Sequence, residues 1–212
     1  CTGGWKSIWF SYWRYNWRCQ SQIDYCVIEK GNDYNYLSEN TSQPNLINHS
    51  KIQGSLLDGA RYNNSTGSIT NCQFLNNGRY PLYYLNPEAN PVHTGNTFTG
   101  NTINRIALSG GTYGFDRTIV NDGGVPYYVL DNINIALYGS HSRLTVNPGV
   151  VMEFAAGKKL QIGVPNSWGG DLYAIGTAGS PIVFKAYNNT PGGWEGIHFT
   201  DWNDNWGGTS VL

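Results

Sequence analysis

The side chains that could support catalysis or metal binding are few in this chain and mostly lie far apart. Asp201 and Asp204 share the run 200–205, where two carboxylates predict at most a loose calcium site. Metal-assisted proton abstraction needs a cluster of acidic ligands beside a base, and the remaining carboxylates are scattered. The four histidines also stand in different sequence contexts. We therefore predict no catalytic residue, no cofactor and no metal beyond this weak calcium candidate.

Tryptophans form a second group with possible chemistry. Trp5, Trp9, Trp13 and Trp17 recur at every fourth position, but the Gly-Gly before them and the aromatic run through them favour a strand followed by a loop. Such rings fasten a protruding loop to the body, form a contact between subunits, or offer a platform for sugar rings. The predicted contact residues are Trp9, Trp13, Trp17, Trp202 and Trp206.

The composition favours many short strands joined by turns. Charged residues make up 13% of the chain, aromatic residues 14% and hydrophobic residues 40%, and there are 27 glycines. These values suit neither helices nor disorder, since helix formers are scarce and the apolar fraction can fill a core. The net charge of −1, with basic residues scattered singly, argues against nucleic acid as a partner. The chain has no apolar run of the roughly 18 residues that a membrane span needs.

A short repeat runs through the first half of the chain. Cys26, Ser50, Cys72 and Asn96 stand at equivalent places, separated by 24, 22 and 24 positions. One coil of a parallel β-helix uses about this many residues, so equivalent positions would stack roughly 4.8 Å apart. We predict an all-β parallel β-helix of roughly 22–24 residues per coil, in which these four side chains form a buried ladder at a bend. An antiparallel sandwich with recurring strands is the alternative.

A longer repeat joins the two ends of the chain. The segment that begins at Trp5 recurs from Trp194, 189 positions later, without an insertion. We predict a single β-helix over 1–212, made of one unit of 189 residues and the first coil of a second unit that restarts at 192–212. Neither end shows a capping element, so we expect the coils to continue, either in the same polypeptide or in a stacked subunit.

The four cysteines show no metal-ligand spacing. Cys26 and Cys72 would be two coils apart, roughly 9.6 Å, beyond the Cα separation of about 7 Å that a disulfide allows. They are predicted to be buried free thiols that pack as small apolar side chains. The second copy of the long repeat lacks both Cys1 and Cys19, so these two are disulfide candidates for each other, with a bond between subunits as the alternative.

The second half of the chain changes to short apolar strands closed by Gly or Pro-Gly. They include Leu-Thr-Val-Asn-Pro-Gly at 144–149, Gly-Thr-Ala-Gly-Ser-Pro-Ile at 176–182 and Trp-Glu-Gly-Ile-His-Phe at 194–199. In this order they resemble the secreted right-handed parallel β-helix repeat proteins of bacteria and archaea. The resemblance covers nearly the whole chain and implies a right-handed solenoid that is extracellular or on the cell surface. It implies no reaction, because members range from adhesins to polysaccharide-processing enzymes.

These patterns lead to two functional hypotheses. The first is a non-catalytic structural part of an extracellular fibre or of a cell-surface adhesin stalk, whose partners are further copies of itself. The alternative is a domain that binds or processes polysaccharides, with glycans as partners. Sequons for N-glycosylation occur in addition, and chance explains most of them in a chain so rich in Asn, Ser and Thr; they begin at Asn40, Asn48, Asn63, Asn64 and Asn188.

Overall fold

The computed structural model of the chain describes residues 5–11, 21–41, 45–165, 168–200 and 209–212. These residues form strands and turns without a helix, and parallel strands stack as a β-solenoid of about 6 turns, called coils below. The predicted all-β parallel solenoid is therefore confirmed, and the antiparallel sandwich is wrong. The chain divides into two compact units, Cys1–Ala107 and Leu108–Leu212. The single β-helix with a long repeat unit stays a prediction.

The first unit contains three sets of parallel strands. Its strands are β1 (Ile8–Ser11), β2 (Gln22–Asp24), β3 (Val27–Glu29), β4 (Tyr34–Glu39), β5 (Asn45–Asn48), β6 (Lys51–Gln53), β7 (Asp58–Asn63), β8 (Gly67–Thr70), β9 (Gln73–Leu75), β10 (Leu82–Tyr84), β11 (Val92–Thr94) and β12 (Thr97–Thr99), with β13 (Ile106–Leu108) at the unit boundary. Sheet A contains β1, β4, β7 and β10, sheet B contains β2, β5, β8 and β11, and sheet C contains β3, β6, β9 and β12. Each coil therefore visits the sheets in the order A, B, C.

Equivalent residues of successive coils pair at the predicted spacing. Ile23 pairs with Ile47, Ile47 with Ile69, and Ile69 with His93. These partners are 24, 22 and 24 positions apart, which confirms the predicted coil length. Ile47 and Ile69 are fully buried, and His93 is 6% exposed in the same inward column. An imidazole therefore takes the place of an aliphatic side chain in the last of these four coils.

One left-handed residue bends the chain between sheets B and C in each of these coils. Tyr25, His49, Asn71 and Gly95 hold this place with φ angles of 51°, 44°, 53° and 70°. The bend changes which face of the backbone points inward, so that apolar residues on both sides of it reach the core. The sequence placed the bend at the ladder residues, and the structure puts the left-handed backbone one residue earlier. Gly adopts this backbone freely, Asn and His adopt it more often than most residues, and Tyr adopts it at a cost.

Aromatic rings pack against one another, tilted or edge-on, through the core of the first unit. Ring centroids are 5.8 Å apart for Phe10 and Tyr36, 5.7 Å for Tyr36 and Tyr62, and 6.3 Å for Tyr62 and Tyr84. Tyr36 and Tyr62 are fully buried. Burial raises the pKa of Tyr36 to about 12 and the pKa of Tyr62 well above its usual value, because a phenolate loses its hydration in this core.

These raised pKa values predict a loss of stability in alkali. Below pH 10.0, the usual pKa of a tyrosine, the phenol of Tyr36 is neutral in both states and its contribution is fully present. Above that pH the unfolded chain ionises first, so stability falls until the pH passes the folded pKa of about 12. We expect Tyr36→Phe to remove roughly 3 kcal/mol of this alkaline loss. The check is urea unfolding from pH 9 to 12, and equal losses in parent and variant would contradict it.

The second unit repeats the parallel stacking with its own strands. They are β14 (Gly111–Tyr113), β15 (Arg117–Ile119), β16 (Tyr127–Val129), β17 (Ile133–Ile135), β18 (Leu137–Tyr138), β19 (His141–Val146), β20 (Val151–Phe154), β21 (Lys159–Ile162), β22 (Trp168–Tyr173), β23 (Val183–Ala186) and β24 (Gly196–Phe199). Sheet D contains β14, β17, β21 and β24, and sheet E contains β15, β19, β22 and β18. β16, β20 and β23 pair in parallel, whereas β18 is antiparallel to β22.

The two copies of the long repeat take part in different sheets. In sheet A, β1 pairs with β4, which sets Ile8 beside Tyr36. In sheet D, β24 pairs with β21, which sets Ile197 beside Leu160. The ring of Trp194, just before β24, stacks on another aromatic ring of the unit at a centroid distance of 4.5 Å. The repeated sequence therefore forms a strand in both copies, but the two strands belong to different sheets.

Candidate functional site

The four predicted ladder residues lie in one column, directly after the left-handed bend. The backbone N–H of Cys26 donates to Ser50 Oγ at 3.0 Å, and that of Cys72 donates to Asn96 Oδ1 at 2.9 Å. Ser50, Cys72 and Asn96 are 1%, 1% and 2% exposed. The polar atoms of this column therefore link neighbouring coils instead of facing an open site.

Cys26 departs from the prediction of a buried thiol, because it is exposed. It precedes β3, the edge strand of sheet C among the described residues, so no further coil covers it on that side. Cys72 precedes β9, which has a strand on each side, and is buried. Neither of these two cysteines forms a disulfide. The disulfide candidates Cys1 and Cys19 lie outside the described residues.

A second ladder, which the sequence reasoning missed, runs between sheets C and A. Asn77 is its centre, and its Nδ2 donates to Asn101 Oδ1 at 2.8 Å and to Ile52 O at 3.1 Å. Its Oδ1 accepts from the backbone N–H of Ser55 at 3.2 Å and from Asn35 Nδ2 at 3.3 Å. Asn77 is 1% exposed, so the whole arrangement is dry. Ser55, Asn77 and Asn101 repeat at 22 and 24 positions, and this spacing could have revealed them.

A buried carboxylate holds two arginines together at the same corner. Asp58 is fully buried, and its Oδ2 accepts from Arg61 Nε and Arg79 Nη2, both at 2.6 Å. Its Oδ1 accepts from Arg79 Nε at 2.8 Å and from the backbone N–H of Tyr80 at 3.2 Å. The hydrogen bonds to Asp58 raise the pKa of Arg79. Sequence reasoning counted Asp58 among the scattered carboxylates, because neither arginine is its immediate neighbour in the chain.

Among the predicted aromatic contacts, Trp9 belongs to the described part of the chain. It is 59% exposed on β1, while Phe10 beside it packs against a core ring. Trp5, not among the predicted contacts, is 43% exposed, and its Nε1 donates to Glu29 O at 2.6 Å. The other predicted aromatic contacts and the calcium candidates lie outside the described residues; they are Trp13, Trp17, Trp202, Trp206, Asp201 and Asp204.

Two pairs of histidine and aspartate lie between neighbouring coils, one exposed and one largely buried. His49 Nδ1 lies 3.1 Å from Asp24 Oδ1, with the side chains 40% and 33% exposed. His141 Nδ1 lies 3.8 Å from Asp171 Oδ1, and Arg143 Nη2 lies 3.6 Å from Asp171 Oδ2. Within the described ranges, no group of three or more His, Cys, Asp or Glu side chains could hold a metal ion.

An outward column of the second unit combines charge with stacked rings. Tyr128 pairs with Glu153, which pairs with Lys185. Glu153 is 3% exposed, and Lys185 Nζ lies 3.3 Å from its Oε1. Tyr187 stacks on Tyr128 at a centroid distance of 4.2 Å. Partial burial, helped by the nearby Tyr187 and Glu153, raises the pKa of Tyr128.

All of these clusters connect one coil to a neighbouring coil. Amides, hydroxyls, carboxylates and rings of one coil meet partners in the next coil, both in the core and on the outer faces. Such columns hold a solenoid rigid, because each coil contacts only its neighbours. Among the described residues, no helix is long and apolar enough to cross a membrane.

Comparison with known proteins gives one partial similarity. No protein-family description and no solved structure matches the chain. A stretch of 83 residues is 42% identical to Protein bark beetle of Drosophila melanogaster. That stretch is 39% of this chain and 2% of the fly protein. The chain thus spans a very small part of that relative, and the similarity establishes neither a family nor an activity.

Proposed function

We propose that the chain is a non-catalytic structural part of an extracellular fibre or of a cell-surface adhesin stalk. The observation that carries this proposal is the use of buried polar groups for contacts between coils. Asn77, Ser50 and Asp58 each bind groups of a neighbouring coil, and each is at most 1% exposed. Contacts of this kind hold each coil firmly against the next, which suits a stalk.

The extracellular location belongs to the same proposal, as does kinship with the secreted bacterial and archaeal β-helix repeat proteins. Both are supported by the motif order within 144–199. Continuation from unit to unit is supported by the return of the Trp5 segment at Trp194. Parallel strands in open solenoids also accept a further strand at their edges.

Electron microscopy of the full-length native protein tests the structural proposal. We expect rods or filaments whose length grows with the number of repeated units, because each added coil stacks on the preceding one. Labelling of intact cells with a reagent that cannot enter them checks the location, with a cytosolic protein as the control. Dispersed short particles from the full-length protein would refute the fibre or stalk.

A polysaccharide-binding role is the second candidate, and one surface of the first unit favours it. The Arg61 and Arg79 side chains are 16% and 34% exposed, although both bind Asp58. Their guanidinium carbons lie 4.7 Å from the ring centre of Tyr34 and 5.4 Å from that of Tyr83. Guanidinium groups beside aromatic rings suit acidic sugars. Incubation with a panel of uronic-acid polymers separates the candidates. Binding that is lost in Arg79→Ala would support the polysaccharide-binding role, and unsaturated products would overturn the non-catalytic role.

A further inference from the structure

The sequons of this chain differ in whether the folded protein leaves space for a glycan at the asparagine. A glycan projects from the asparagine amide nitrogen, so the folded protein must leave space for a sugar at that atom. The sequon at Asn40 is set aside, because its hydroxyl residue Ser42 lies outside the described residues. The amide groups of the other four can be compared directly; they belong to Asn48, Asn63, Asn64 and Asn188.

Asn63 and Asn64 lie inside a stack of amides that crosses the coils. Asn63 Nδ2 donates to Glu39 Oε1 at 2.7 Å, and Asn63 Oδ1 accepts from Asn86 Nδ2 at 2.7 Å. Asn64 Nδ2 donates to Asn40 Oδ1 at 3.0 Å. A sugar on Asn63 Nδ2 would stand against the neighbouring coil and open the stack. Asn64 is exposed, so a sugar on its Nδ2 would replace the hydrogen bond to Asn40.

Asn48 is held in a similar way at the bend between sheets B and C. Its Oδ1 accepts from Thr70 Oγ1 and Asn71 Nδ2, both at 3.0 Å, and its Nδ2 lies 2.7 Å from His49 Nδ1. The hydroxyl of Ser50, the third residue of this sequon, donates to Asn48 O at 2.7 Å and belongs to a residue 1% exposed. The fold therefore excludes a glycan at Asn48 too.

Asn188 is different, because it lies at the tip of an exposed turn after β23. The backbone N–H of Asn189 donates to Ala186 O at 3.1 Å and closes the turn. The backbone N–H of Thr190 donates to Asn188 Oδ1 at 3.1 Å, which leaves Nδ2 on the other side of the amide. Asn188, Asn189 and Thr190 are all exposed. Among the described residues, Asn188 Nδ2 donates no hydrogen bond, so a sugar there displaces nothing.

We propose that Asn188 is a site of N-glycosylation, an inference that rests on the proposed extracellular location. The donor is a lipid-linked oligosaccharide pyrophosphate. A bond forms between Asn188 Nδ2 and the anomeric carbon of the first sugar, and the bond from that carbon to the pyrophosphate breaks. The lipid pyrophosphate leaves with the bonding electrons, and the proton that Nδ2 loses passes to an oxygen of the departing pyrophosphate. The hydroxyl of Thr190 completes the acceptor sequence; it lies 3.5 Å from Asn188 O, but unlike the hydroxyl of Ser50 it belongs to an exposed residue.

The experiment is peptide mass spectrometry on the full-length protein expressed in insect cells, before and after enzymatic removal of N-glycans. We expect the peptide that contains Asn188 to carry a glycan, and Asn188→Gln and Thr190→Ala each to lose it completely. Asn64→Gln is the matched control and should leave the total glycan mass unchanged. Pro191→Ala is analysed beside them, because Pro191 directly follows the sequon and restricts the backbone of Thr190.

Several outcomes would overturn the assignment. One is a folded, secreted protein with unmodified Asn188, and another is a glycan at Asn188 that depends on the Pro191→Ala change. A glycan at Asn48 or Asn63 would overturn the exclusion by the stacks. Location is measured separately, by labelling of intact cells and by a second form with an added secretory signal. If the natural protein stays inside the cell while the signal-bearing form is glycosylated at Asn188, the proposed location fails and the acceptor site stands.

Discussion

Replacement of Asn77 by Ala is expected to destabilise the first unit by roughly 3–5 kcal/mol, because several buried polar groups lose their partner together. The side chain donates to Asn101 Oδ1 and Ile52 O, and it accepts from Ser55 and Asn35. None of these partners gains access to water when the amide is removed, since the position is 1% exposed. Urea unfolding followed by circular dichroism measures the change as a lower midpoint.

Two further variants make the test of Asn77 specific. Asn77→Asp keeps the shape but sets an oxygen against Asn101 Oδ1 and Ile52 O, so we expect at least as large a loss. Gln73→Ala, on the exposed face of β9, should stay within about 0.5 kcal/mol of the parent chain. A cost below about 1 kcal/mol for Asn77→Ala would show that the ladder does not stabilise the fold.

Replacement of Asp58 by Ala is expected to cost roughly 3 kcal/mol, because it leaves two arginines facing a buried space without their acceptor. Arg61 and Arg79 both bind Asp58, and their side chains are 16% and 34% exposed. The estimate stands at the low end for a buried pair, because water can reach part of Arg79. The loss caused by Asp58→Ala should also change little with added salt, because a buried pair is screened less than exposed charges.

Asp33→Asn provides the matched control for Asp58. Asp33 is exposed, and its backbone carbonyl, not its carboxylate, accepts from Arg61 at 3.4 Å. Its replacement should change the unfolding free energy by less than about 0.5 kcal/mol. Similar losses for the two variants would mean that the arginines respond to overall charge and not to the buried contact.

The sequence alone revealed the repeating parts of the fold. Spacings between Cys26, Ser50, Cys72 and Asn96 correctly predicted parallel coils of 22 to 24 residues, since stacked positions must recur once per coil. The sequence could not show which ladder residues are covered on both sides. Cys26 is exposed because β3 lies at the edge of its sheet among the described residues. The residues next to Cys26 do not show that β3 is an edge strand.

The sequence analysis missed contacts between residues that lie at different positions in successive coils. Arg61 is three positions from Asp58, but Arg79 is 21 positions away and reaches the carboxylate from the next coil. The Asn77 ladder was missed for a different reason, because no single apolar residue type marks its place. Ile23, Ile47 and Ile69 mark the predicted ladder, whereas the residues beside Asn77 differ from coil to coil.

Coil length varies at one corner of the first unit, and this has an evolutionary consequence. Glu39 pairs with Asn63 in sheet A, and Leu46 pairs with Ser68 in sheet B. The connection therefore takes seven positions from Glu39 to Leu46 but five from Asn63 to Ser68 in the next coil. The passage from sheet B to sheet C keeps its length through the bend. Insertions and deletions can therefore accumulate at the A-to-B corner during descent, while the ladders at the other corners keep their alignment.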